Sequence, residues 1–326
     1  MLFSAIIPVY NGAKYIKSLA ADLQAQTCKD FEAIFINDGS TDDTLAILRE
    51  VQKDANFAMK IIDQENKGVS AARNAGIKAS QGDWITFIDV DDGISAEFFD
   101  VIARAVSNNT SDFYIFRYTH SPKGFDSRIK SIRTLKRDTV LVDFLYGRIK
   151  SGIWGTAVKK HLLISEDLRF DEKCSYAEDQ QMLWQIFASA SQISLVESTI
   201  YLYRINVNSA MRVFPPARFQ ALETMRALEP VIQQKAPLFY PLYKKYAVAR
   251  ICWSLLWQAA AFLSVQEFVN VYKQNNLSSY IRKLTTFPEI KVKFSALLLL
   301  NSPLMFYSLA RIYARKRLFD YSDREN

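Results

Sequence analysis

The sequence predicts an α/β protein, a mainly parallel, doubly wound sheet followed by a helical C-terminal region. Strand-like and helix-like patterns alternate over the first 120 residues. The residues with chemical potential cluster at the carboxyl ends of the strand-like runs, where open α/β sheets bind ligands. Beyond Pro215-Pro216 the pattern is helical to the end. At 326 residues the chain has room for one large or two modest domains with sizeable cores.

Taken in order, the strand-like runs are Phe3–Ile7, Phe31–Ile36, Ala58–Ile62, Trp84–Ile88 and Phe113–Phe116. Helical stretches fall between them, at Lys14–Gln26, Thr41–Lys53, Ser70–Ser80 and Ala96–Ser107. Ser40 is expected to cap the second helix, with Asp42 and Asp43 in its first turn. Residues 121–150 are polar and basic, contain Pro122 and Gly124, and read as a connection with a short helix near Leu141–Tyr146. A further strand is expected at Ile193–Tyr203. In the last third Phe239, Tyr243, Tyr246, Trp253 and Trp257 recur at helical spacing, as a core or dimer-facing stripe would.

Composition narrows the function classes. Cys28, Cys174 and Cys252 form neither a disulfide framework nor a zinc pattern, and His120 and His161 are too few for a histidine metal site. The chain opens on a strand without the basic start of a signal peptide, so a reducing, cytoplasmic setting is expected. The net charge of +7 is unevenly spread, at −2 for residues 1–212 and +9 for residues 213–326. A nucleic-acid module is disfavoured because the excess charge avoids the first 212 residues; an anionic membrane surface or a second copy of the chain suits the last third.

The most informative stretch is Trp84-Ile85-Thr86-Phe87-Ile88-Asp89-Val90-Asp91-Asp92, an apolar run that drives into three carboxylates. Crowded like charges are costly unless a cation sits among them, and hard oxygen donors suit Mg²⁺ or Mn²⁺, which suit a diphosphate. If the chain stays extended, Asp89 and Asp91 share a side and Asp92 faces away. Asp38, after the second strand, has the acceptor oxygens to take the imide N–H of uracil. In Asn66–Gly76, Ala71, Ala72 and Ala75 allow close packing on the sheet, and Arg73 offers a cation for phosphate or for a surface ion pair.

These clusters, in this order, resemble the family 2 glycosyltransferases of the A-type nucleotide-sugar fold, from Phe3 to about Arg212. The resemblance implies a donor-binding half at 1–120, an acceptor and catalytic half of the same domain at 121–212, and a helical domain at 213–326. It places Pro8 and Tyr10 beside the base, Asp38 on it and Arg73 near the nucleotide. Asp89-Val90-Asp91 falls on the family's Asp-x-Asp motif, implying Asp91 as metal ligand and Asp89 on ribose or metal. Phe170–Asp179 looks like the family's Glu-Asp motif opening a helix at Gln180–Ser189, with many members having a glycine where Cys174 or Ser175 stands. Asp179 is then the general base, and Glu178 orients the acceptor or caps the helix. Tyr201–Arg212 resembles a segment that closes over the donor, which implies Arg204 and Arg212 as partners of the diphosphate; an ordinary strand and exposed turn is the other reading. Trp154 stands where members often place an aromatic residue for the acceptor; a core tryptophan is the other reading.

The implied reaction is inverting transfer from a UDP-sugar to a glycan or lipid-linked acceptor, forming a β-glycoside. A catalytically inactive nucleotide-sugar-binding or scaffolding member of the same fold is the alternative. A dehydrogenase on a doubly wound fold lacks support, because no Gly-x-Gly-x-x-Gly occurs. The uncharged run Phe294–Ala310 is interrupted at Asn301-Ser302-Pro303 and reads as two helices. Lys291, Lys293, Arg311, Arg315, Lys316 and Arg317 flank it, so attachment to the inner face of the cytoplasmic membrane and dimerisation through 213–326 both stay open.

Overall fold

A computed structural model describes residues 2–107, 110–174, 176–204 and 214–322. Its centre is a parallel stack of β1 (Phe3–Val9), β2 (Phe31–Asp38), β3 (Ala58–Gln64) and β4 (Trp84–Phe87), in the order β3-β2-β1-β4. β2 is buried along its whole length because helices cover both faces, whereas β3 alternates in exposure as the edge strand. The crossovers are α1 (Ala13–Gln24), α2 (Thr44–Asp54) and α3 (Val69–Ala79). The small residues of α3 let it lie close against the sheet: a Cβ added at Gly76 would collide with Ile6 of β1. Phe3, Phe31 and Phe99 stack beneath, with ring centroids 4.2 Å apart for Phe31 and Phe99.

The sheet departs from the parallel expectation after β4. Two residues, β5 (Gly93–Ile94), and the helix α4 (Phe98–Ser107) lead to β6 (Phe113–Thr119), and β7 (Ile132–Lys136) follows. The chain then runs through α5 (Arg137–Tyr146), β8 (Thr156–Lys159), α6 (Lys160–Ser165), α7 (Glu178–Ser189) and β9 (Gln192–Leu202). β8 pairs antiparallel with both β4 and β6, β6 runs parallel to β9, and β5 and β7 pair antiparallel with β9. The parallel reading therefore holds for the first half of the sheet, and the second half is mixed.

Two compact units result, residues 1–140 with 151–206, and residues 141–150 with 207–326. Residues 141–150, read from sequence as part of a connection in the catalytic region, group with the helical unit instead. There Tyr146 packs edge-on against Phe287, which an interior ring contact explains better than a solvated linker. The helical unit contains α8 (Ala221–Ala227), α9 (Glu229–Lys235), α10 (Tyr240–Phe262), α11 (Val265–Gln274), α12 (Ser278–Lys283), α13 (Ile290–Asn301) and α14 (Pro303–Ser322). The break at Ser302-Pro303 falls where the sequence placed it. Of the aromatic stripe, Phe239, Tyr243 and Tyr246 are buried, and Trp253 meets Trp257 edge-on. Among the described residues no helix is long and apolar enough to cross a membrane.

Candidate active site

The carboxyl ends of β1, β2 and β4 carry three loops that bond to one another or to α3. Asn11, at φ 48°, accepts from Thr41 N through its side chain at 2.8 Å, and its own N–H donates to Ser40 Oγ at 3.0 Å. Ser40 thus joins two loops and does not cap α2. That helix begins at Thr44, whose N–H and hydroxyl both donate to Asp42, so Asp42 and Asp43 precede its first turn. Pro8 lies within β1, and Tyr10 just beyond it is 55% exposed.

Asp38 is buried at the end of β2. Its Oδ1 accepts from Gln64 Nε2 at 2.7 Å and Lys67 N at 2.9 Å, and its Oδ2 accepts from Gly68 N at 2.8 Å. Three of roughly four lone-pair sites of that carboxylate therefore hold the 64–68 loop. Gly39, at φ +66°, allows the approach, since a Cβ there would collide with the backbone of Asn66.

Arg73 is the hub of the site. It projects from α3 with 3% exposure and reaches Asp179 Oδ1 at 2.6 Å, Asp89 Oδ1 at 3.1 Å and Glu178 Oε1 at 3.4 Å. Phe170 lies 5.2 Å beneath the guanidinium, and the neighbouring Asn74 exchanges hydrogen bonds with the Phe170 backbone. The base candidate and the acidic turn, far apart in sequence, thus meet on one cation. Glu178 and Asp179 form the first turn of α7, where the macrodipole favours negative charge, and Ala177 enters that helix at φ 67°. Burial pushes the Asp179 carboxyl up to about 7, Arg73 opposes that rise, and Glu178 and Asp89 add to it. The same three carboxylates raise the already high pKa of Arg73 against the cost of its burial. A carboxylate poised near neutrality suits a general base.

The acidic turn differs from the extended expectation. β4 ends at Phe87, and Asp92 N donates to Asp89 O at 3.0 Å, closing a turn. Asp92 points inward, where its Oδ2 accepts from the Tyr201 hydroxyl at 2.7 Å and its Oδ1 from Arg204 N at 2.9 Å. Burial, then the neighbouring Asp89, push its carboxyl up to about 8. Tyr201 in turn accepts from Asp89 N at 3.2 Å, and burial with the nearby Asp92 lifts its hydroxyl well above the usual tyrosine range. The Arg204 guanidinium donates to the carbonyls of Asp92 and Asp91 at 2.5 and 3.5 Å, so here it braces the turn. Arg212 lies outside the described residues.

Asp89 and Asp91 supply hard oxygen donors in a crowded acidic turn, which fits Mg²⁺ or Mn²⁺ held by one or two carboxylates plus phosphate oxygens. Among the described residues no group of three or more His, Cys, Asp or Glu side chains is arranged to hold a metal by itself.

Beside this turn stands an aromatic cluster. Trp154 stacks on Tyr201 and Tyr203, both with centroids 5.1 Å away, and Tyr118 meets it edge-on at 4.9 Å. Gly155, at φ +63°, permits the stack because a Cβ there would lie 3.2 Å from Tyr201 Cβ. An irregularity in the β6–β9 register at Phe116–Tyr118 precedes Tyr118, as bulges beside active sites often do. Sequence reasoning singled out Trp154 but missed Tyr118, Asn74 and the inward role of Asp92. The two-residue spacing of Tyr201 and Tyr203 was the available signal for a shared face.

Residues 4–161 match the model of glycosyl transferase family 2. The chain carries a family 2 glycosyltransferase domain. It is 29% identical over 263 residues to the uncharacterized glycosyltransferase EpsJ of Bacillus subtilis, covering 77% of this chain and 72% of EpsJ. It is 29% identical over 206 residues to TarS of Staphylococcus aureus, a poly(ribitol-phosphate) β-N-acetylglucosaminyltransferase, covering 62% of this chain but 35% of TarS. The crystal structure of TarS 1–349 with UDP-GlcNAc matches with a TM-score of 0.63 at 21% identity, over 100% of this chain and 93% of that one. A mannosyltransferase from Pyrobaculum calidifontis, bound to GDP-Man and Mn²⁺, matches at 0.52 and 18% identity, over 93% of this chain and 87% of that one. These likenesses establish the A-type fold of the glycosyltransferase domain.

Proposed function

We propose that the protein is an inverting glycosyltransferase that moves a hexose or N-acetylhexosamine from a UDP-sugar to a hydroxyl of a glycan or lipid-linked saccharide. The meeting of Asp89, Glu178 and Asp179 on Arg73 carries this reading, because it joins a base near neutrality to the acidic turn of a family 2 domain. The UDP and UDP-GlcNAc bound to TarS support a uridine donor. Its cytoplasmic supply and a lipid-linked acceptor would set the reaction at the inner face of the membrane.

Asp179 takes the proton of the acceptor hydroxyl as that oxygen attacks the anomeric carbon, while the bond from that carbon to the diphosphate breaks on the opposite face. From an α-linked donor this yields a β-glycoside and UDP. Arg73 holds Asp179 and Asp89 in place and keeps Asp179 ionised against the cost of its burial. Asp92 holds Tyr201 and the Arg204 backbone, and so fixes the turn that presents Asp89 and Asp91. Asp91 and Asp89 would hold Mg²⁺ or Mn²⁺, and the bound ion supplies positive charge to the diphosphate. Trp154 offers its indole to an acceptor sugar ring.

The test is UDP release from a panel of UDP-sugars with Mn²⁺ and acceptor. Asp179→Asn is expected to lower transfer by about a thousandfold and leave UDP affinity within about threefold. Nucleotide binding without transfer to any acceptor would instead favour the inactive, scaffolding member.

A further inference from the structure

We propose that the outward faces of α13 and α14 form a docking surface for a bilayer containing anionic lipid. An ordinary surface helix buries one apolar stripe and turns polar residues to water. α13 does not. Its inward positions Val292, Ala296 and Leu299 are buried, yet its outward positions are also apolar, with Ile290 80% and Phe294 64% exposed and Leu297 one turn further on. These three recur at i, i+4 and i+7 and so share a face. α14 repeats the pattern: Phe306 and Ala310 are buried, while Met305, Leu309 and Ile312 recur at the same spacing, with Met305 62% and Ile312 67% exposed.

Charge selects the occupant. Lys291 and Lys293 are exposed and sit on either side of the Ile290–Phe294 line on the helical wheel, where their stems can lie along an apolar phase while the ammonium groups reach phosphate. Residues 213–326 carry a net +9, with Arg315, Lys316 and Arg317 following the α14 stripe in sequence. A two-fold pairing of this face with its own copy would oppose like charges, whereas an anionic leaflet attracts them. Arg311 is engaged elsewhere, because its guanidinium donates to the carbonyls of Ala261 and Leu263 at the end of α10. The arrangement suits lying on a membrane, since neither helix is long and apolar enough to cross one.

Flotation of the full-length chain with phosphatidylcholine vesicles, with and without roughly one third phosphatidylglycerol, tests the proposal. The wild type is expected to float with the anionic vesicles and to stay behind with the neutral ones. Phe294→Ser with Ile312→Ser should cut the bound fraction about tenfold. Both side chains are exposed, so the thermal melt should match the wild type. Lys291→Glu with Lys293→Glu should lower binding to anionic vesicles while leaving the apolar face intact. Anionic vesicles that leave the wild type behind, or bind the serine variant equally well, overturn the proposal. A wild-type dimer that the serine substitutions convert to monomer, with no vesicle binding, overturns it too and gives the face to a second copy. Flotation needs no sugar donor, so its outcome stands apart from that of the transfer assay.

Discussion

Replacing Arg73 by Gln removes the cation that faces Asp89, Glu178 and Asp179. Removing one partner of a buried ion pair costs about 3–5 kcal/mol, because the remaining charge stays desolvated. The three carboxylates keep 20 to 29% of their side-chain exposure, so solvent screens part of that cost. The expected loss is therefore roughly 2–4 kcal/mol near pH 8. The pH dependence has a definite sign. The native Asp179 carboxyl sits at about 7 against an ordinary 3.8, so between those values the folded state holds a proton that the unfolded chain has released. Stability from this group thus falls as pH rises through that window. Arg73 holds the Asp179 value down, so without it the upper edge of the window moves higher. The deficit of the variant should widen above about pH 7 and narrow towards pH 4. Arg73→Lys keeps the charge but loses the planar fork that reaches several carboxylates, and should fall between the two. Hydrogen exchange at the amides of α3 and α7 reads the loss within the first unit alone. A deficit under about 0.5 kcal/mol, or one equal at both ends of the pH range, would refute the charge-hub argument.

Three further outcomes are expected. Chelation of divalent ions should abolish UDP release and Mn²⁺ should restore it, with Asp91→Asn needing about tenfold more Mn²⁺; activity indifferent to chelator would remove the metal from the reading. With Asp179 at about 7, kcat/KM should fall about tenfold per pH unit below that value, as the base gains a proton. A flat profile down to about pH 5.5 would take Asp179 out of the base role. Trp154→Ala removes the stack on Tyr201 and Tyr203 and should raise the acceptor KM about tenfold, with hydrolysis of the donor within about twofold of wild type. Equal losses in both reactions would make Trp154 a packing residue only.

Much of the glycosyltransferase domain was legible because period and position are local. The five strand-like runs of the first 120 residues all appear as strands, though the fourth stops at Phe87, one residue early. α7 begins at the Glu178-Asp179 motif, two residues before the expected start. Less legible was what each charged group would touch. Arg73 and Asp179 are 106 residues apart, and nothing in the local pattern of α3 says that α7 will meet it. Asp38 and Arg204 looked like groups waiting for a ligand, yet each is engaged with the backbone of a neighbouring loop.

The sequence alone determined the alternation of strands and helices, the carboxylates at the strand ends and the break between α13 and α14. Each of these follows from side-chain spacing or from proline within a few residues. Only the tertiary structure decided that Asp92 turns inward, that β8 runs antiparallel beside β4, and that Arg73 gathers the base and the acidic turn. Those outcomes depend on which elements come within a few ångströms of one another. A buried charge takes whatever partner the fold brings to it, because leaving it unpaired would cost more than any local preference supplies.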